Sequence, residues 1–259
     1  MAPGAAFPDF AGPKPPGSDP VLAVALDLPT AGEALALATR LNHLPLWMKV
    51  GLELFTAEGP ALVKALCEMR FAVFLDLKYH DIPNTVRGAV RSASGLGARM
   101  LTLHAAGGLA MCREAVNGRE EAGLPPDEGP LLMGVTVLTS AKGPAGAMLD
   151  RVVELALTAK EAGLDGVVCS GREASAVKRA CGDEFLCLCP GIRPVGGACD
   201  DQARVCSPEE AVRAGADFLV MGRAVTRAGD PALAAAEALE NMRDGLVGRL
   251  SAPRPLTDL

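Results

Sequence analysis

One alternation constrains this chain more than any other feature. Eight short apolar runs, each reading as a buried parallel strand, alternate with segments whose apolar residues recur at helical spacing. The runs cover residues 22–27, 46–51, 71–78, 100–104, 131–138, 166–170, 185–189 and 217–221. Helix patterns cover 30–41, 59–69, 84–96, 110–123, 147–163 and 173–180, with another starting at Ser207 and a closing one from Asp230 to about residue 250. The start at Ser207 is the clearest: Ser as N-cap, Pro208 in the first position and Glu210 three residues after Ser, the pattern of a capping box. Strands that all run one way need helical crossovers. Eight such units in roughly 230 residues close most simply into a single-domain (β/α)8 barrel. The alternative is an open doubly wound sheet. That fold calls for a Gly-rich loop after the first strand, where this chain has Asp27-Leu28-Pro29-Thr30.

The length of 259 residues suits one such domain. Only 3% of residues are aromatic, so the core is built from Ala, Val, Leu and Met. A net charge of −6, with no dense Lys/Arg run, argues against nucleic acid as a partner but leaves room for a small anion met by a few converging cations. Eight cysteines are scattered without a C-x-x-C pair, and they read as reduced thiols in a cytoplasmic protein. His80 and His104 have no further ligand at metal spacing, so no metal site is expected. No apolar run is long enough to span a bilayer. Residues 1–20 hold six Pro and three Gly and lack the charged start and apolar core of a signal peptide. They read as a flexible extension before a catalytic barrel over 21–250 and a short tail over 251–259.

The chemistry concentrates in residues 71–85, where an apolar run ends in a cluster of charges. Asp76 and Lys78 are two apart, so on a strand both leave the same face. Asp81 follows beyond the strand, and Pro83 marks a helix start. An ion pair closing a barrel, with Asp81 as a helix N-cap, is the plain structural reading. Buried charge is expensive unless paired, and this string has companions at other strand ends. Asp27 ends the first strand, Lys49 lies near the end of the second and Thr139 ends the fifth. Arg193 ends the seventh, and Gly222-Arg223 ends the eighth. Barrels of this class carry their active sites at the C-terminal ends of the strands and often hold phosphate with the loops after strands 7 and 8. Arg193, Gln202, Gly222 and Arg223 lie in that region; Gly222 leaves room for close backbone approach, and Arg supplies a forked contact.

The string Asp76-Leu77-Lys78-Tyr79-His80-Asp81-Ile82-Pro83-Asn84-Thr85 closely resembles the signature of the orotidine 5'-phosphate decarboxylase family. The resemblance extends through Val24-Ala25-Leu26-Asp27, Lys49-Val50-Gly51, His104-Ala105-Ala106-Gly107-Gly108, Val137-Leu138-Thr139-Ser140, Pro190-Gly191-Ile192-Arg193-Pro194 and Met221-Gly222-Arg223. It implies a cofactor-independent carboxy-lyase of pyrimidine biosynthesis, converting orotidine 5'-phosphate to UMP. Lys49, Asp76, Lys78 and Asp81 would form an alternating charge network, with Lys78 protonating C6 of the pyrimidine. Residues 81–85 would reach the neighbouring site of a homodimer through Asp81, Ile82 and Thr85. Asp27 would bind ribose hydroxyls, and Thr139 would lie near the pyrimidine. Arg193, Gln202, Gly222 and Arg223 would hold the 5'-phosphate. Two rivals remain at this point. Related sugar-phosphate decarboxylases and aldolases share Asp-x-Lys-x-x-Asp but use Mg2+ with a Glu near the end of strand 2, where this chain has Lys49. A non-catalytic nucleotide sensor would keep the phosphate residues and relax the charge network.

Overall fold

The computed structural model describes residues 19–125, 128–138, 141, 143–193 and 206–251. Eight parallel strands close into a barrel in sequential order, the (β/α)8 or TIM-barrel fold. In chain order the elements are β1 (Val21–Ala25), α1 (Ala31–Leu41), β2 (Leu46–Gly51), α2 (Leu52–Glu58), α3 (Pro60–Glu68), β3 (Ala72–Tyr79), α4 (Pro83–Ser94) and β4 (Met100–His104). A 3-10 turn (Ala105–Gly107) then leads into α5 (Gly108–Glu121), β5 (Leu131–Val135), α6 (Ala145–Glu161), β6 (Gly166–Val168) and α7 (Ala174–Cys181). The chain finishes with β7 (Leu186–Cys189), α8 (Pro208–Arg213), β8 (Phe218–Met221), α9 (Arg223–Thr226) and α10 (Pro231–Ser251).

The strand alternation separates two apolar compartments. Ala23, Trp47, Phe74, Met133, Leu188 and Phe218 belong to the barrel interior, while Leu22, Val24, Met48, Val73, Leu75 and Leu101 face the helix layer. With few aromatics available, one edge-to-face pair, Trp47 with Phe218 at 5.2 Å, fills the interior width that small side chains leave. At the N-terminal ends of the strands, Asp217 accepts from the amide of Cys187 and pairs with Lys178 at 2.7 Å, both side chains being buried. Asp165 repeats the device with the Leu132 amide and Arg119. These paired carboxylates satisfy strand-start amides at the closed end of the barrel.

Several boundaries differ from the sequence reading, each for a local reason. The capping box at Ser207 forms as expected. Residues 52–58 and 223–226 add two helices, α2 and α9, that are too short for an apolar period to be read. The fifth strand stops at Val135 rather than at residue 138: its neighbour β6 ends at Val168, whose carbonyl takes the last ladder bond, from the Thr136 amide, and the Thr136 hydroxyl as well. Asp81 is not an N-cap. Ile82 holds that position in α4, and the Asp81 carboxylate accepts from the adjacent Ile82 amide at 2.6 Å.

Candidate active site

The interior parity, carried one step toward the C-terminal ends of the strands, turns polar. After Ala25, Trp47, Phe74 and Met100, the next inward positions are Asp27, Lys49, Asp76 and Thr102. Their side chains connect. The Lys49 ammonium lies 3.0 Å from Asp27 Oδ1 and 3.7 Å from Asp76 Oδ2, and Lys78 Nζ lies 2.8 Å from the same Asp76 oxygen. The result is a chain of alternating sign, Asp27–Lys49–Asp76–Lys78. Lys49 and Asp76 are almost buried, whereas the Asp27 side chain is 62% exposed and that of Lys78 32%. Each buried charge thus has an opposite partner, which offsets its desolvation. Gly51 leaves the ammonium room: a Cβ there would lie 3.0 Å from Lys49 Nζ, a tight contact.

Lys78 reaches the network by an irregular route. Leu75 pairs with Leu101 but Tyr79 pairs with Leu103, so β3 gains two residues over β4. This is a bulge. Within it Lys78 takes φ +49°, a left-handed conformation that costs an L-residue about 1–2 kcal/mol. Its displaced amide donates to Thr102 Oγ1 at 3.0 Å, and the Thr102 hydroxyl donates to Asp76 Oδ1 at 2.8 Å. Thr102 is fully buried. Sequence reasoning missed it; its only signal was a hydroxyl between two leucines in the run Met100–His104. Burial also pushes the phenol of Tyr79, on the same bulge, up to about 12.

A cavity of about 690 Å³ opens over the network. Asp27, Lys49, Asp76 and Lys78 line its β1–β3 side; Arg193, Gly222 and Arg223 line the β7–β8 side. Arg227, one helical turn after Arg223, lines the same side and was not anticipated. Val135, Val168 and Leu188 supply apolar floor between the two sides. A Cβ on Gly222 would lie 3.6 Å from Asp27 Oδ2, within the cavity mouth. Thr139 and Gln202 lie outside the described residues. Asp81, Ile82 and Thr85 do not line this cavity; they sit exposed on the rim, Ile82 at 66%. His80 and His104 come together with ring centroids 5.1 Å apart. Burial, with His80 and Lys78 nearby, lowers the His104 pKa. Among the described residues no three His, Cys, Asp or Glu side chains converge as a metal site would require.

The model of the orotidine 5'-phosphate decarboxylase / HUMPS family matches residues 20–238. The chain belongs to this family. Curated members include an orotidine 5'-phosphate decarboxylase of Nitratidesulfovibrio vulgaris (strain DP4), 53% identical over 227 residues that span 85% of this chain and 97% of the relative. Another, of Alkalilimnicola ehrlichii, is 54% identical over 229 residues, 85% of this chain and 94% of the relative. A crystal structure of orotidine 5'-phosphate decarboxylase from Lactobacillus acidophilus superimposes with a TM-score of 0.76 at 35% identity, covering 87% of this chain and 99% of that one. The family match thus takes in every strand of the barrel and the whole charge network. No helix among the described residues is long and apolar enough to cross a membrane.

Proposed function

We propose that this chain decarboxylates orotidine 5'-phosphate to UMP without a cofactor, in pyrimidine biosynthesis in the cytoplasm. The observation that carries the reading is the Asp27–Lys49–Asp76–Lys78 chain at the mouth of a cavity whose opposite side bears guanidinium groups. A nucleotide has that polarity: a ring where bonds change, and a phosphate at the far end. Arg193, Arg223 and Gly222 take the 5'-phosphate together with Gln202, and Arg227 adds a further cation on that side. Asp27, exposed at the mouth, accepts from ribose hydroxyls. Thr139 is assigned to the pyrimidine, as the family's motif implies.

The reaction explains why a lysine stands between acids. The bond from C6 to its carboxylate breaks, CO2 leaves and the electron pair stays on C6 in an in-plane sp2 orbital. The ring π-system does not overlap that orbital, so a cation in the ring plane must stabilise it. The Lys78 ammonium does so and then transfers a proton to C6, leaving a neutral amine that solvent reprotonates. Asp76 pairs with that ammonium and aims it, and Lys49 keeps Asp76 from turning away. Asp81, Ile82 and Thr85 complete the neighbouring site of a homodimer, which accounts for their exposure on the rim. The sugar-phosphate branch of the family is less well served, because the ammonium of Lys49 already lies between the two carboxylates that a divalent ion would seek.

The test is direct. Purified protein in EDTA should consume orotidine 5'-phosphate, read by its absorbance, and release UMP; no consumption would remove the proposal. Within an active enzyme, Arg223→Ala should weaken UMP by about tenfold to a hundredfold, the loss of a charge-assisted hydrogen bond, and leave uridine unchanged. Equal losses for nucleotide and nucleoside would take Arg223 out of the phosphate site.

A further inference from the structure

We infer that Thr102 is a positioning residue that sets the aim of Lys78. This inference rests on the reading that Lys78 delivers the proton. The hydroxyl has one hydrogen, and it goes to Asp76 Oδ1 at 2.8 Å; its oxygen accepts the Lys78 amide at 3.0 Å. One side chain therefore holds both the backbone of the proton donor and the carboxylate that orients its ammonium. The two residues are joined a second time through Lys78 Nζ and Asp76 Oδ2 at 2.8 Å. Asp76 is left with both oxygens engaged, and Lys78 with both its amide and its ammonium.

The bulge explains why a hydroxyl is needed. With two extra residues in β3 opposite β4, the Lys78 amide has lost its register with the neighbouring strand. Its left-handed φ points the chain away from regular pairing. A buried amide without a partner would let the bulge relax toward ordinary strand geometry, and Lys78 would swing with it. Thr102 is the inward residue of β4 at this level, with no exposed surface, so water does not substitute for it. Threonine suits the place twice: β-branching fits the strand, and the hydroxyl both donates and accepts.

The experiment compares Thr102→Val, Thr102→Ser and the native enzyme on orotidine 5'-phosphate. Valine keeps the shape and removes the hydroxyl. It should lower kcat by about tenfold to a hundredfold, since hydrogen bonds to charged groups carry effects of that size. KM and UMP affinity should stay within about threefold, because ground-state contacts are untouched. Serine should recover most of kcat. A merely structural threonine would lower the melting temperature of both variants without this split. If valine does not fold, Thr102→Ala replaces it, removing the hydroxyl without adding bulk. Native-like kcat in the folded valine or alanine variant, or equal loss in serine, would overturn the assignment. Turnover by the native enzyme separates this outcome from failure of the decarboxylase reading, which would leave no native activity to compare.

Discussion

Replacing Lys78 by alanine is expected to cut turnover of orotidine 5'-phosphate by about five orders of magnitude while UMP still binds. Two losses combine. An ammonium ~4 Å from a developing carbanion, at an effective dielectric near 20, contributes about 4 kcal/mol, roughly a thousandfold. A positioned proton donor adds about a hundredfold or more. Lys49, at 3.7 Å from Asp76, is held by Asp27 at 3.0 Å on the other side, so it does not move into the vacated place. UMP binding survives because the guanidinium side of the cavity is unchanged. Single-turnover kinetics with an equilibrium measurement of UMP affinity checks both halves. Turnover within tenfold of native would remove Lys78 from the chemistry. Enzymes commonly lower barriers by about 8–23 kcal/mol, so one lysine does not account for the whole. The remainder falls to binding energy from the remote phosphate and to the order of the network.

The second large effect is a recovery. Lys78→Ala and Asp81→Ala are each expected to be nearly inactive, yet a mixture of the two should regain activity after subunit exchange. Asp81 is exposed, does not line the cavity of its own chain, and among the described residues its carboxylate accepts from the adjacent Ile82 amide. A carboxylate on the rim acts in a catalytic network only if a neighbour brings a cavity to it. In a hybrid of the two variants, one site has lost both residues and the other has lost neither. Random exchange of equal amounts makes half the dimers hybrid, so about a quarter of native activity should return. Exchange verified by mass spectrometry with no recovery would show that Asp81 acts elsewhere. Sedimentation of the native protein as a monomer would remove the shared site altogether.

Much of this molecule could be read without its coordinates. The eightfold alternation named the barrel because period-2 and period-3.6 patterns are local properties, written within each segment. Barrel topology then assigned Asp27, Lys49, Asp76 and Arg223 to one rim, because strand C-termini share an end whatever their spacing in sequence. The capping box at Ser207 was equally local. Short elements escaped for the same reason: α9 is four residues and offers no full period.

What the chain alone determined, then, is its fold and the rank of polar residues at the strand ends. Which of those residues touch was decided by register between strands distant in sequence. Simple alternation puts Asp76 and Lys78 on one face, and they do meet. They meet, however, through a two-residue bulge in β3 and a left-handed Lys78, features with no signature in the run Phe-Leu-Asp-Leu-Lys. Thr102 became significant only once β4 was set against that bulge, and Arg227 only once α9 turned it toward the cavity. The physical reason is that a hydrogen bond between 78 and 102 depends on how two strands are offset in the closed barrel. That offset is fixed by packing around the whole ring of eight strands, and no single segment encodes it.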